Sequence, residues 1–384
     1  MSKRVLTICL VAAALCARPA LAAQNVANTS QKGSLLIFPL ITTDPEELDD
    51  TFIEVSNDET GPVHIECSYV NEAKGRVDFD FTLTAKATAS WDALFGDGIG
   101  APPFPTDGSF IPSNHFRGEL VCFATDVAGA NQIAFNHLTG TASVVSIADT
   151  DAVQPKQAFR YDAWSFVARN AAGLPEADNV IQGTPGLLAL TGGLAGTYDA
   201  CPAYNIATFN PNGATDPSTL TTTVDNDLSV VSCNQDLRQD FVLHLTKLQF
   251  TIWNANENSY TGSYQCIDSV DTVAFGAADS TGMVARSNFD FSTLRTPNAR
   301  FQVSAVASTQ CPKSETAGIL GVITSSLGIA DGPGPGPGPT PPIPNDPAGE
   351  DAELGSTTQT AGSQPGVVMW DPANGTVPAI KTHS

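Results

Sequence analysis

The stretch "VHIECSYV" places Val63, Ile65, Cys67 and Tyr69 on one parity and His64, Glu66 and Ser68 on the other. A period of two sends one set into a core and the other toward water, so these residues predict a strand buried on one side. "RVDFDFTLT" repeats the pattern, with Val77, Phe79, Phe81 and Leu83 against Asp78, Asp80 and Thr82, and "GELVCFAT" groups Leu120, Cys122 and Ala124. "SLLIFPLI" (34–41) is a continuous apolar run of strand length, and "TFIEVSN" (51–57) alternates. Short bursts of this kind, separated by Gly, Pro, Asn and Asp and almost never extended at helical spacing, restrict the chain to an all-β fold. About seven such bursts up to Ile147 predict an antiparallel β-sandwich of immunoglobulin-like architecture.

The chain opens with Lys3 and Arg4, an apolar stretch over 5–17 and Ala20-Leu21-Ala22 as a small-x-small cleavage site, which predicts a secretory signal peptide over residues 1–22. That apolar run is shorter than the roughly 20 residues needed to cross a bilayer, and no later segment is long enough, so no membrane span is expected. Leu15 before Cys16 argues against lipid attachment. Cleavage removes Cys9 and Cys16 and leaves Cys67, Cys122, Cys201, Cys233, Cys266 and Cys311. An even set in an exported chain predicts three disulfides. No C-x-x-C spacing occurs, which disfavours zinc or redox chemistry. Six cysteines allow 15 connectivities; sequential pairing is expected, because two cysteines lie in the first half and four in the second, and bridges seldom cross between independently folding units. Cys67 and Cys122 both point inward, so their bridge is expected to join packed sheets.

Cleavage also removes three of the 18 basic residues (Lys3, Arg4 and Arg18), so 15 face 40 acidic ones and the formal charge moves from −22 to −25. Nucleic acid and anionic membrane surfaces need clustered Lys and Arg and are disfavoured as partners. Solubility accounts for such a balance; calcium or a cationic partner is the alternative.

A mature length near 360 residues predicts about two domains, read here as 23–152 and 153–330. The segment 93–114, with four prolines and four glycines, is a long loop and the first place to expect a binding edge. After Asp151, "QAFRYDAWSFVARN" reads as a strand. "LQFTIWNANENSYTGSYQCI" reads as a hairpin turning at 254–258, with Tyr260, Tyr264 and Cys266 on its buried face and a bulge or break at Thr246-Lys247. "ARFQVSAV" adds a late strand. From Asp331, "DGPGPGPGPTPPIPNDP" holds 8 of the chain's 27 prolines, so 331–384 reads as a disordered Gly/Pro-rich linker and tail. Its one apolar patch, "VVMWD" (367–371), reads as a solvated cluster, with a docking strand as the alternative.

The pentads "NHFRG" and "NHLTG" put His115 and His137 in matching contexts. Zinc needs three or four ligands and no local candidate completes the set. Asn-His before Gly is ordinary turn chemistry, so the two are read as openings of neighbouring strands. The acidic loops "DPEELDD" (44–50), "DFD" (78–80), "GDG", "DTD" and "DND" offer oxygen ligands without matching a calcium-loop motif, and are read as solvated. No G-x-S-x-G, H-E-x-x-H or S-x-x-K signature occurs. A carboxylate pair for glycoside cleavage could lie far apart in sequence. Trp91, Trp164, Trp253 and Trp370 could form a sugar platform, but tryptophan in a β protein is usually packing.

"KGSLLIFPLI", "DTFIEVSN", "HIECSYVN", "GELVCFA", "NHLTGTASVV", "LQFTIWNANEN" and "ARFQVSAVASTQCPKS", in that order, resemble a family of exported, disulfide-bearing β proteins of environmental proteobacteria, over Lys32 to about Ile329. That family has no assigned activity. The resemblance implies an extracytoplasmic, non-enzymatic protein, and the Gly-Pro tail departs from the pattern. The expectation is a secreted or cell-surface binding or adhesion module with no cofactor, no metal and no catalytic residue. The alternatives are a structural subunit assembling through strand edges and a carbohydrate-active enzyme.

Overall fold

The computed structural model describes residues 25–44, 49–72, 74–99, 116–146, 157–193, 197–213, 222–233, 245–276, 282–311, 318–329, 357–359 and 366–369. Residues 1–22, expected from sequence to be a signal peptide, together with His115 and most of the tail, lie outside them. The first part of the chain forms β1 (Leu35–Thr43), β2 (Asp49–Asn57), β3 (Val63–Asn71), β4 (Arg76–Leu83), β5 (Thr88–Asp92), β6 (Gly98–Ile99), β7 (Phe116–Thr125), β8 (Gln132–Ile133) and β9 (Leu138–Ser146). There follow β10 (Gln157–Asp162), β11 (Trp164–Phe166), β12 (Ala168–Arg169), β13 (Ile181–Gly183), β14 (Thr197–Tyr198), β15 (Tyr204–Phe209) and β16 (Thr222–Ser232). The last are β17 (Thr246–Asn254), β18 (Ser259–Ile267), β19 (Val270–Ala274), β20 (Ala299–Val306), β21 (Ile319–Ile329), β22 (Thr357–Gln359) and β23 (Gly366–Met369). Among the described residues, helix is confined to single turns at Arg286–Phe289 and Phe291–Leu294. The fold is all-β.

Four sheets dominate. The β1 sheet runs β11-β1-β7-β3-β4, with β8 and β13 added beside β7; the β2 sheet runs β10-β9-β2-β5-β6. The β16 sheet is β19-β16-β21, and the β17 sheet is β18-β17-β20-β15-β23-β22. Side-chain parity explains how they stack. Leu36 and Phe38 of β1, Ile65 and Cys67 of β3, and Leu120 and Cys122 of β7 pack with Ile53, Val55, Trp91 and Ala142 of the β2 sheet. The opposite parity (Leu35, Ile37, Val121 and Phe123) packs with Val231, Val270 and Leu320 of the β16 sheet. β1 and β7 therefore carry unbroken apolar runs because both of their faces are covered. The β16 sheet turns Leu228, Val230, Val273 and Ile323 to the β17 sheet, where Phe209, Phe250, Phe275, Phe289 and Phe301 form one aromatic cluster.

Several expectations change in this architecture. "QAFRYDAWSF" is two strands, β10 and β11, which pair with β9 and β1, so residues assigned by sequence to the second unit complete sheets of the first. Disulfides join Cys67–Cys122, Cys201–Cys233 and Cys266–Cys311. The first lies within the β1 sheet: Cys67 and Cys122 are register partners on adjacent strands, with Cα atoms 4.1 Å apart, and the bridge does not join two sheets. The 254–258 turn forms, but Cys266 is half-exposed and Ser263 and Ile267 are buried. A register shift at Gln249/Thr251, opposite Gly262 at φ +99°, moves the phase of β18. β7 and β9 belong to different sheets and are not neighbours. Gly118 and Gly140 are needed within those strands for close packing. A Cβ on Gly118 would meet the Val70 carbonyl oxygen at 2.1 Å, and one on Gly140 would meet the Phe38 ring at 2.5 Å. Residues 366–369 of the tail form β23, paired in parallel with β15, where the sequence favoured a solvated cluster.

Candidate functional site

Alternation in β2 sends Ile53 and Val55 into the core and Phe52 and Glu54 outward. Register carries this face across the sheet: Phe52 opposes Asp92, Glu54 opposes Ser90, and Ser90 opposes Ile99 on the two-residue edge strand β6. Glu54 accepts hydrogen bonds from Thr141 Oγ1 (2.8 Å) and Arg160 (3.0 Å), which makes one half of the face polar and ordered. The other half is apolar and open to water. Phe52, Phe95 and Ile99 are 47%, 62% and 75% exposed. This edge opens the segment that the sequence singled out; residues 100–115 lie outside the described residues.

The turn carrying Phe95 is clamped by two buried carboxylates. Asp50 accepts the Thr51 N–H (2.7 Å) and the Leu94 N–H (3.0 Å). Asp92 Oδ1 accepts the Phe95 N–H (2.6 Å), and its own N–H donates to the Asp97 carbonyl (3.0 Å). Ala93 N–H closes on the Thr51 carbonyl at 2.9 Å. Burial, with a smaller push from the Asp92 charge, raises Asp50 to about 6. On the core side of β5, Trp91 Nε1 donates to the Tyr69 hydroxyl (2.8 Å), and burial pushes the Tyr69 pKa up. A carboxyl near 6 beside a second carboxylate is a proton-transfer environment. Here both carboxylates hold backbone N–H groups under the buried Leu94, so the arrangement holds a turn and presents Phe95. Nothing in local sequence marks this pair, because Asp50 and Asp92 meet only through sheet register.

The other sequence candidates are placed elsewhere. His137 directly precedes β9, and its Nδ1 faces Asp58 (3.1 Å) and Glu59 (3.5 Å) while its Nε2 faces Asp178 (3.4 Å). It ties the β2–β3 turn to the loop before β13. Asn136 accepts from Ser34 Oγ and the Ala168 N–H. Asp78 accepts from Ser68 and Arg76, and Asp80 faces His64 at 3.3 Å, so "DFD" serves β3–β4 cross-strand pairs. Asp44 and Asp49 pair through their backbones, and "DTD" lies outside the described residues. Among the described residues, no group of three or more His, Cys, Asp or Glu side chains is placed to hold a metal ion. Trp91 and Trp164 are buried, and Arg300 sits 5.1 Å over the Trp253 ring, so these three build no shared platform. Trp370 lies outside the described residues. No helix among them is long and apolar enough to cross a membrane.

No protein-family model matches the chain, and no curated protein matches it. Among solved structures, a protein described as Thermotoga maritima 1070 aligns at a TM-score of 0.24 and 6% identity, over 35% of this chain and 95% of its own. The PBSX exported protein XepA aligns at a TM-score of 0.19 and 8% identity, over 80% of this chain and 85% of its own. At these scores neither carries an argument about fold or function.

Proposed function

We propose that this is a secreted or cell-surface, non-enzymatic binding module, that its β1 and β2 sheets form the immunoglobulin-like sandwich expected from sequence, and that its contact surface is the edge at Phe52, Phe95 and Ile99. Three disulfides support an oxidising, extracytoplasmic setting. The observation that carries the binding reading is the exposure of three large apolar side chains beside one clamped turn, since rigid exposed apolar groups with a polar flank are what contact surfaces use. The Glu54–Arg160–Thr141 network supplies the polar flank. The partner is a surface, matrix or protein ligand that offers an apolar group against Phe95.

Arrays of glycans and matrix proteins probed with the mature chain test this. Phe95→Ser with Ile99→Ser is expected to weaken the strongest binding at least tenfold while leaving the melting temperature within a few degrees. Undiminished binding by that double variant would remove the proposed surface. Release of new reducing ends from a bound polysaccharide would overturn the non-enzymatic reading.

A further inference from the structure

The three disulfides sit in different surroundings. Cys67 and Cys122 are fully buried in the core between the β1 and β2 sheets. Cys201 and Cys233 pack with the apolar cluster between the β1 and β16 sheets. Apolar cover disfavours a thiolate and slows exchange at such bridges. Cys266 is different: it is half-exposed on β18, the edge strand of the β17 sheet. Its partner Cys311 is buried at the end of the turn that follows β20, where its N–H donates to the Ser308 carbonyl (3.3 Å). Cys266 Sγ lies 3.9 Å from the Gln310 carbonyl oxygen.

Lys247 sets this bridge further apart. It is the register partner of Cys266 across β17 and β18, so the two side chains leave the same face of the sheet, with Cβ atoms about 5 Å apart in the usual geometry of such pairs. Lys247 is buried; its ammonium donates to Gln310 Oε1 (2.5 Å) and lies 4.5 Å from the centroid of the Tyr264 ring. Both of these contacts are neutral, so neither cancels the charge. Gln310 directly precedes Cys311, so one cation stands beside both halves of the bridge in a chain of formal charge −22. A cation there attracts an incoming thiolate and stabilises a departing one. We propose that Cys266–Cys311 is a thiol–disulfide exchange site whose co-reactant is an external dithiol. One thiolate of the dithiol attacks the accessible Cys266 Sγ and bonds to it, while the Cys266–Cys311 bond breaks and its electron pair leaves on Cys311 Sγ. The second thiolate then attacks the sulfur of the first and displaces the Cys266 thiolate. The protein gains two electrons and two protons as the dithiol becomes a disulfide. Reduction unties β18 from the turn after β20, at the end of the fold where the chain passes from the β17 sheet to β19 and β21. This site goes beyond the proposed binding edge, which lies on a different sheet.

Timed reduction tests it. The oxidised intact chain, with any free thiol blocked beforehand, is exposed to dithiothreitol for increasing times, alkylated and peptide-mapped. Labels at Cys266 and Cys311 are expected about tenfold sooner than at Cys67 and Cys122, and several-fold sooner than at Cys201 and Cys233. With glutathione in place of the dithiol, the trapped adduct is expected on Cys266. Lys247→Met keeps the length of the side chain and removes its charge; it is expected to slow this bridge about fivefold and no other, while Lys247→Arg holds the parent rate. Opening of Cys201–Cys233 first, or of all three bridges together, would remove the site. An adduct on Cys311 would overturn the direction of attack, and an unchanged rate in Lys247→Met would overturn the part given to the ammonium. Misfolding of that variant would speed all three bridges instead of slowing one, and the order of opening in the parent would still decide the site.

Discussion

Asp50 is the residue whose environment departs furthest from what its neighbours in sequence suggest. It sits in the acidic run "DPEELDD", yet the turn after β5 folds over it and leaves it buried, with its oxygen accepting two backbone N–H groups. Its carboxyl titrates near 6 in the folded protein against 3.8 as the ordinary value, chiefly from burial. A raised carboxyl pKa means the folded state holds the proton more tightly. Its contribution to stability is therefore fully present below about pH 3.8 and is lost as pH rises through about 6. A shift of this size corresponds to about 3 kcal/mol at most. Asn at this position keeps the acceptor oxygen and cannot ionise. Asp50→Asn is expected to be more stable than the parent at pH 7.5 by about 1–3 kcal/mol, and the gap should close by pH 4; denaturant titrations at both pH values measure it. Burial also raises Glu66, Glu72 and Asp271, which slope the parent's profile the same way, so the informative quantity is the difference between parent and variant. Local sequence could identify Asp50 as an acid but not as a buried one, because its cover comes from residues about 40 positions later.

β3 and β7 show what one element can and cannot reveal. The alternation of "VHIECSYV" correctly placed Cys67 inward, and Val63, Ile65, Cys67 and Tyr69 all enter one core. The partner of that strand was not legible, since inward cysteines satisfy a bridge between sheets or within one equally well. The structure pairs the strands directly, so the disulfide pins a register that otherwise depends on contacts across a sequence separation of 55. On the chain-entropy model, closing a loop of that length stabilises by about 4 kcal/mol. Cys67→Ala with Cys122→Ala is expected to lower stability by about 2–4 kcal/mol, read as a shift of the denaturation midpoint relative to the oxidised parent. A midpoint unchanged by the pair would show that the strand ladder alone sets the register. β18 makes the complementary point. Its hairpin and turn were legible from "NANEN", but one register shift beside Gly262 inverted the parity expected for Cys266.

At the scale of the whole molecule, the stacking of sheets decides whether the chain can be divided. The cluster between the β1 and β16 sheets takes Ile37, Val121, Phe123 and Trp164 from one part of the chain and Val231, Val270 and Leu320 from the other. Trp164 Nε1 donates to the Gly321 carbonyl (3.3 Å), and Lys74 pairs with Asp268 (3.0 Å) across the same junction. A fragment spanning 23–152 would lack β10 and β11 and expose the apolar parity of β1 and β7. It is expected to be insoluble or to lose fixed tertiary packing, visible as a collapsed near-ultraviolet dichroism signal. In the intact chain the shared cluster couples the two parts, so calorimetry should record one dominant transition. Leu320→Asp tests the coupling directly, because an unpaired carboxylate there would be buried against β1 and β7. It is expected to destabilise by about 3 kcal/mol or more and to lower the melting of the β1 and β2 sheets together with that of the β17 sheet. Two well-separated transitions in the parent, with only the later sheets weakened by Leu320→Asp, would instead mean that the first two sheets fold on their own.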